Sequence, residues 1–408
     1  MSSAASPPSA VDDLVSHREL ARVVREHASG LATALMRVTG DFATAEDLVQ
    51  DAVLAALRRW PIDGIPARPD AWLFAVARNR GLDLLRRETN YRTKLTQLRA
   101  PAQSEPDDRL RLIFTCCHPA LPRAAQIALT LRVVCGLTTA QIARAFLVPE
   151  ATVAQRITRA KRKIGDAGIP YRVPEADELD SRLAEVLAVI YLVLNEGYLC
   201  TAEQAESREL VDDAEWLATL LHQLMPTEPE VAGLLALIRL HRARIDARFD
   251  ADGALVLLQD QDRSRWDRAC IDDAARLLAH AAKRRRPGPY QLQAAIVACH
   301  AQAKRWEDTD WEQIVLLYDM LLHVAPSPVT RLHRAIALRY VAGPKAALAE
   351  LDNLADTIDH YHLYHATRAE LLRALGHPYQ ARIADERALE LTANPAEQAL
   401  LRRRIDWT

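Results

Sequence analysis

The chain has 408 residues, half of them hydrophobic but only 5% aromatic, so its cores must rest on Leu, Ala, Val and Ile, and its length suits two or three domains. The net charge of −2 conceals a split: residues 1–170 carry 24 basic and 17 acidic side chains, the remainder 28 and 37. A basic front half suits a polyanion, and no apolar run approaches the ~20 residues of a membrane span.

The six cysteines (116, 117, 135, 200, 270 and 299) show no C-x-x-C spacing, which fits a reducing compartment. With no signal-peptide apolar segment either, the expectation is a cytoplasmic protein. Thirteen glycines leave little material for phosphate-cradling loops, and no G-x-x-x-x-G-K-[ST], H-E-x-x-H or G-x-S-x-G occurs. The sequence therefore predicts no enzyme, no cofactor and no metal site.

Residues 1–12 are Ser, Ala and Pro rich, a composition that predicts disorder. Helical periodicity then runs to the end with no strand-type alternation, so the fold class is all-α. Thr44 is placed to cap a helix whose inner face is Ala45, Leu48, Val49, Ala52, Val53 and Ala56. Its other face shows Asp47, Gln50, Asp51 and the apolar Leu54, a pattern for docking on a basic partner helix or for plain solvation. The stretch from Pro61 to Pro69 reads as a loop. The following helix, Asp70 to Asn90, sets Trp72 and Phe74 beside Arg78, Arg80, Arg86 and Arg87. Arginines interleaved with aromatics suit single-stranded nucleic acid. The rings alone read better as core, the arginines do not. A polar linker covers residues 96–108. Cys116, Cys117 and His118 are adjacent, about 100° apart on a helix, and read as buried thiols rather than ligands.

From Gly136 to Ile164 the chain reads as helix, turn and helix. Thr138 and Gln141 make a capping box, and Pro149 separates the two helices. In the second helix Val153, Ile157, Ala160 and Ile164 share an inner face, and Thr152, Gln155, Arg156, Arg159 and Lys163 an outer one. That outer face holds donors for phosphates and base edges, as a helix laid in the major groove requires. An ordinary helical hairpin with a solvated basic face is the plainer alternative.

A second linker, residues 167–178, leads into over two hundred further helical residues. Ala335, Leu338 and Ala347 recur 34 positions later as Ala369, Leu372 and Ala381, with Gly343 and Gly376 at the two turns. That is the period of tetratricopeptide (TPR) repeats, which stack into protein-binding surfaces. The Lys283–Arg286 run reads as a helix C-terminus.

DFATAEDLVQDAVLAALRRW, then WLFAVARNRGLDLLRR, then GLTTAQIARAFLVPEATVAQRITRAKRKI resemble, in order and spacing, an extracytoplasmic-function (ECF) sigma factor over about residues 14–165. A departure is Leu147, where many members carry Gly or a small polar residue. The long rear extension, with NEGYL (Asn195–Leu199) and DGALVLLQDQDRSRWD (Asp252–Asp267), resembles the group with a C-terminal TPR-like domain. The resemblance implies two small helical sigma domains, region 2 over 13–95 and region 4 over 109–166, and a TPR-like regulatory extension over 179–408.

It also implies core RNA polymerase and promoter DNA as partners. Asp47, Gln50, Asp51 and Leu54 would dock on the polymerase clamp helices. Trp72, Arg78, Asn79, Asp83, Arg86 and Arg87, with the loop Pro61 to Arg68, would handle the −10 element, where a base is flipped out. Thr152, Ala154, Gln155, Arg156, Thr158, Arg159 and Lys163 would meet the −35 element. Asp260, Asp262, Arg263 and Trp266 are candidates for an intramolecular contact with the sigma domains. The charge split allows the acidic rear half to cover the basic front, so that truncation after residue 170 raises promoter activity; a fall instead would make the extension a needed activator or scaffold, and the sequence does not choose between the two. The competing reading is a stand-alone helix-turn-helix regulator with a protein-binding repeat domain, which leaves the motifs before residue 90 unexplained.

Overall fold

The computed structural model describes residues 42–84, 106–146, 148–199 and 205–406, with scattered positions between 27 and 39. The described residues are helical apart from turns and one isolated bridge between Phe249 and Leu255. They form two compact units, divided between Val193 and Leu194.

In the first unit, α1 (Phe42–Asp63) buries Ala45, Leu48, Val49, Ala52, Val53 and Ala56, each at most 2% exposed. They pack against α2 (Pro69–Leu84) through Leu73, Phe74 and Ala77. Each large side chain so enclosed contributes about 1.5–3 kcal/mol. Helix α1 already includes Phe42, two residues before the expected cap, and Phe42 is buried; Thr44 therefore lies inside the helix. The expected loop from Pro61 is also shorter. Pro61 has no N–H to give the carbonyl four residues back, but the loss is confined to that one bond: donation resumes after it, as from Gly64 to Trp60, and α1 continues to Asp63. Gly64 then stops it: its φ is +81° and its N–H donates to the Trp60 carbonyl at 2.9 Å, a left-handed cap that a side chain would strain.

Region 4 is built from α3 (Pro106–Cys116), α4 (Arg123–Val133), α5 (Thr139–Ala145) and α6 (Glu150–Asp166). Helix α3 already includes Pro106, two residues before the expected end of the linker at 108. Leu112, Ile113, Phe114, Leu129, Leu131 and Ile142 form the core. Buried Gln126 satisfies its amide by donating to the His118 carbonyl at 2.8 Å. Cys116 and Cys117 are buried at the α3 end, and burial pushes the Cys117 thiol up to about 12. Helix α7 (Ala176–Leu199) opens against region 4: Arg182 donates to the Phe114 carbonyl at 2.7 Å, and Glu185 pairs with Arg123 at 2.8 Å. The unit boundary falls inside this helix.

The second unit continues through α8 (Ala205–Leu224), α9 (Pro229–Arg242), α10 (Arg268–Ala282), α11 (Pro289–Gln302) and α12 (Trp311–Val324). Between α9 and α10 lie three short 3-10 turns. Lys283 caps the C-terminus of α10. Then come α13 (Pro328–Asp352), α14 (Ala355–Ile358), α15 (His362–Ala374), α16 (Pro378–Leu391) and α17 (Pro395–Asp406). Helix α13 is two helices joined at Gly343, where φ is +84°; Gly376, at +81°, makes the equivalent turn between α15 and α16. Ala335 and Ala369, and Ala347 and Ala381, are all fully buried, so the 34-residue recurrence falls where packed helices need small side chains. Pro344 and Pro378, also 34 apart, begin the second helix of each pair.

Candidate functional site

The helix-turn-helix follows from its caps and its buried stripe. The Thr138 hydroxyl accepts from Gln141 N–H at 3.2 Å, and the Gln141 side chain accepts from Thr138 N–H at 2.8 Å. Pro149 is the N-cap of α6, and Glu150 meets its positive end. Val153, Ile157, Ala160 and Ile164 are buried, which turns the opposite face to solvent. Ala154, Gln155, Thr158, Arg159 and Lys163 are exposed there, and Thr152 and Arg156 are half-buried at its margins. The Thr158 hydroxyl donates to the Ala154 carbonyl at 2.9 Å. Leu147 lies outside the described residues.

In region 2, Trp60 and Phe74 belong to the core and Trp72 is half-buried, its ring edge-on to Trp60 at 5.3 Å. Arg78 lies over the Phe74 ring at 5.9 Å, and Asn79 is exposed. Asp83 is on the last turn of α2, while Arg86 and Arg87 lie outside the described residues. Ile62 is 84% exposed beside the loop from Gly64 to Arg68, and Ile65 projects from that loop.

The docking residues of α1 have different surroundings. Asp51 is 3.9 Å from Arg80 and Leu54 is half-buried. Gln50 is buried and donates to the Arg132 carbonyl at 3.0 Å. Asp47 pairs with Lys161 at 2.5 Å. The residues that organise this contact are ones the sequence reading passed over. Glu46, 1% exposed, pairs with Arg132 at 3.1 Å and with Lys161, so α1 is clasped to α4 and α6. Arg132 also donates to the Thr139 hydroxyl at 2.5 Å, which links the clasp to the start of α5. The one available signal was an acid at position 46 flanked by the buried Ala45 and Leu48.

The third candidate group divides. Asp260 and Asp262 are exposed, Asp262 capping a 3-10 turn through Ser264 N–H. Arg263 and Trp266 are turned into their own unit and are buried there. Among the described residues no group of His, Cys, Asp and Glu could hold a metal ion.

Comparison with known families matches three stretches: Sigma-70 region 2 over residues 23–91, Sigma-70, region 4 over residues 111–164, and a family of unknown function (DUF6596) over residues 182–282. The ECF RNA polymerase sigma factor SigL of Mycobacterium tuberculosis is 36% identical over 147 residues, covering 34% of this chain and 82% of SigL. The uncharacterized protein R00370 of Rhizobium meliloti is 46% identical over 388 residues, 91% of this chain and 92% of its own. The chain belongs to the ECF sigma factors of the sigma-70 family, alternative sigma factors that direct transcription initiation, and it carries a long helical C-terminal extension.

Proposed function

We propose that this protein binds core RNA polymerase through Asp47, Gln50, Asp51 and Leu54 of α1 and reads a two-part promoter with its two sigma regions. The observation that carries this reading is the solvent-facing strip Ala154, Gln155, Thr158, Arg159 and Lys163 on a helix whose other side is buried. Arg159 and Gln155 supply donors for the −35 base edges, and Lys163 and Arg156 contact phosphates. At the −10 element, Trp72, Arg78, Asn79 and Asp83 act with the loop from Gly64 to Arg68 and with Arg86 and Arg87. The exposed Ile62 and Ile65 give an unstacked base an apolar surface there, offsetting part of the few kcal/mol that flipping costs.

Docking on polymerase competes with the clasp, because Asp47 and Gln50 are engaged by Lys161 and Arg132. Opening therefore precedes or accompanies polymerase binding, and it also releases α6 from α1. The site of action is the cytoplasm, with core polymerase; no helix among the described residues is long and apolar enough to cross a membrane. The extension modulates activity. A cut after residue 170 also deletes Arg182 and Glu185, which hold region 4, so the informative truncation is after Val193.

The test is transcription in vitro. Purified protein with core polymerase should start transcripts at a defined promoter, and no binding to core at micromolar concentration would sink the reading. A chain ending at Val193 should differ from the full chain in promoter output; equal output removes the modulating role.

A further inference from the structure

The region matched by the family of unknown function turns arginines into the interior of the second unit. Arg244 is 7% exposed and Arg263 is 9%. Among the described residues neither has a carboxylate within ion-pair distance. Arg263 Nη1 donates to the His300 and Ala303 carbonyls at 2.6 and 2.7 Å, while its Nη2 is buried with no acceptor. Arg244 Nη2 lies 3.2 Å from the Tyr198 hydroxyl and 3.3 Å from His241 Nδ1, while its Nε is buried with no acceptor. Both guanidiniums lie against one ring: their carbons are 4.6 and 5.8 Å from the centre of Trp266. Trp266 Nε1 and His300 Nδ1 are likewise buried and unpartnered.

Charge at this place is one-sided. Arg268, exposed, stands close by and among the described residues donates only to the Ala301 carbonyl, at 3.0 Å. Burial, with Arg244 and Arg248 adding, holds His241 down to about 3; burial, with Arg244 and Arg263 adding, holds His300 down to about 4. Glu307 and Asp308 favour the charge of Arg263, but both are exposed and Asp308 is paired with Arg305 at 3.0 Å. Buried cations are ordinarily matched by a counter-charge, and buried donors by an acceptor. In this packing not even a water reaches these nitrogens, so an oxyanion is admitted only as the side chains around Trp266 give way on binding.

We propose that Arg244, Arg263, Trp266 and His300 form a binding site for one small oxyanion, the carboxylate or phosphate of a metabolite. The planar guanidinium fork matches either group, and the indole N–H adds a neutral donor. The extension would then carry a ligand-sensing site of its own. This inference stands apart from the promoter-reading assignment and survives if that assignment fails.

The experiment uses the full chain at fixed ionic strength, with thermal unfolding followed in inorganic phosphate, in citrate and in chloride. Phosphate strengthens burial in any protein, and the helix-turn-helix also attracts anions, so variants decide the matter. Phosphate or citrate should raise the unfolding temperature of the wild type and of Arg159→Ala by about 3–8 °C over chloride. The rise should vanish in Arg263→Gln and Arg244→Gln. A rise with phosphate alone assigns a phosphate ligand, and with citrate alone a carboxylate. An equal rise in all four proteins, or none in the wild type, overturns the site. Should the Gln variants fail to fold, calorimetric titration of the wild type with both anions remains. One saturable site, weakened about tenfold in Arg263→Lys, supports the proposal; no saturable site, or an unchanged Arg263→Lys titration, refutes it.

Discussion

Glu46 in the first unit and Asp385 in the second are both buried carboxylates held between two cations, and they do opposite jobs. Glu46 on α1 meets Arg132 of α4 and Lys161 of α6, residues 86 and 115 positions away that belong to the other sigma region. Asp385 on α16 is fully buried between Arg373 of α15, at 2.7 Å, and Arg404 of α17, at 3.8 Å, all within one stack of neighbouring helices. A buried ion pair is weak evidence of net stability against an apolar alternative but strong evidence of a specified arrangement. At Asp385 the arrangement specified is the fold itself. At Glu46 it is a joint between two regions, and that joint has to part if Asp47 and Gln50 are to reach a partner.

The largest effect should come from Asp385→Ala. It leaves Arg373 and Arg404 without their shared acid and should cost the second unit about 3–5 kcal/mol, seen as a lowered thermal transition. A loss under 1 kcal/mol would erase the contrast with Glu46. Acid offers a way to perturb the second unit. His241 and His300 are half-buried and held neutral by desolvation, with folded-state values of about 3 and about 4 against 6.5 when unfolded. The unfolded chain therefore binds more protons between these limits, and stability that is complete above pH 6.5 falls as the pH drops. Going from pH 7 to pH 5 should cost roughly 2–4 kcal/mol, read by denaturant titration, and His241→Asn should flatten that slope.

Two milder changes address the first unit. Arg159→Ala, on the face of α6 away from the clasp, should weaken promoter binding by about 1–3 kcal/mol without altering the unfolding of the free protein. If its salt dependence alone changes, Arg159 contacts phosphate and not a base. Lys161→Ala, on the clasp side of the same helix, leaves Glu46 still paired with Arg132, so its stability cost should be about 1 kcal/mol. Association with core polymerase should meanwhile rise severalfold, as measured by fluorescence anisotropy. Unchanged association would mean that the joint does not limit docking.

Local pattern made much of this readable from the sequence. The Thr138–Gln141 box and the stripe Val153, Ile157, Ala160 and Ile164 are where periodicity and capping put them, because both are set within one or two turns of chain. The paired alanines of the rear helices were legible for a related reason: close helix packing needs a small residue at the same place in each repeat. The Glu46 clasp was not legible. Nothing local marks an acid as the partner of a lysine 115 positions later. Pro61 misled because proline reads as a breaker, although here it removes a single bond and the helix runs on for two more residues. Arg263 is inside against the general habit of charged side chains, and only the carbonyls and the Trp266 ring around it account for that.

The bond from the Thr158 hydroxyl to the Ala154 carbonyl has a consequence for what α6 can recognise. A hydroxyl has a single proton, and here it is already given to the helix. If α6 lies in the groove as proposed, Thr158 offers lone pairs and a methyl group there, which suit an exocyclic amine, on adenine or cytosine, or the methyl of thymine. It has no proton to offer guanine. On the proposed −35 reading, the preference of this position would be set by the helix before any DNA arrives.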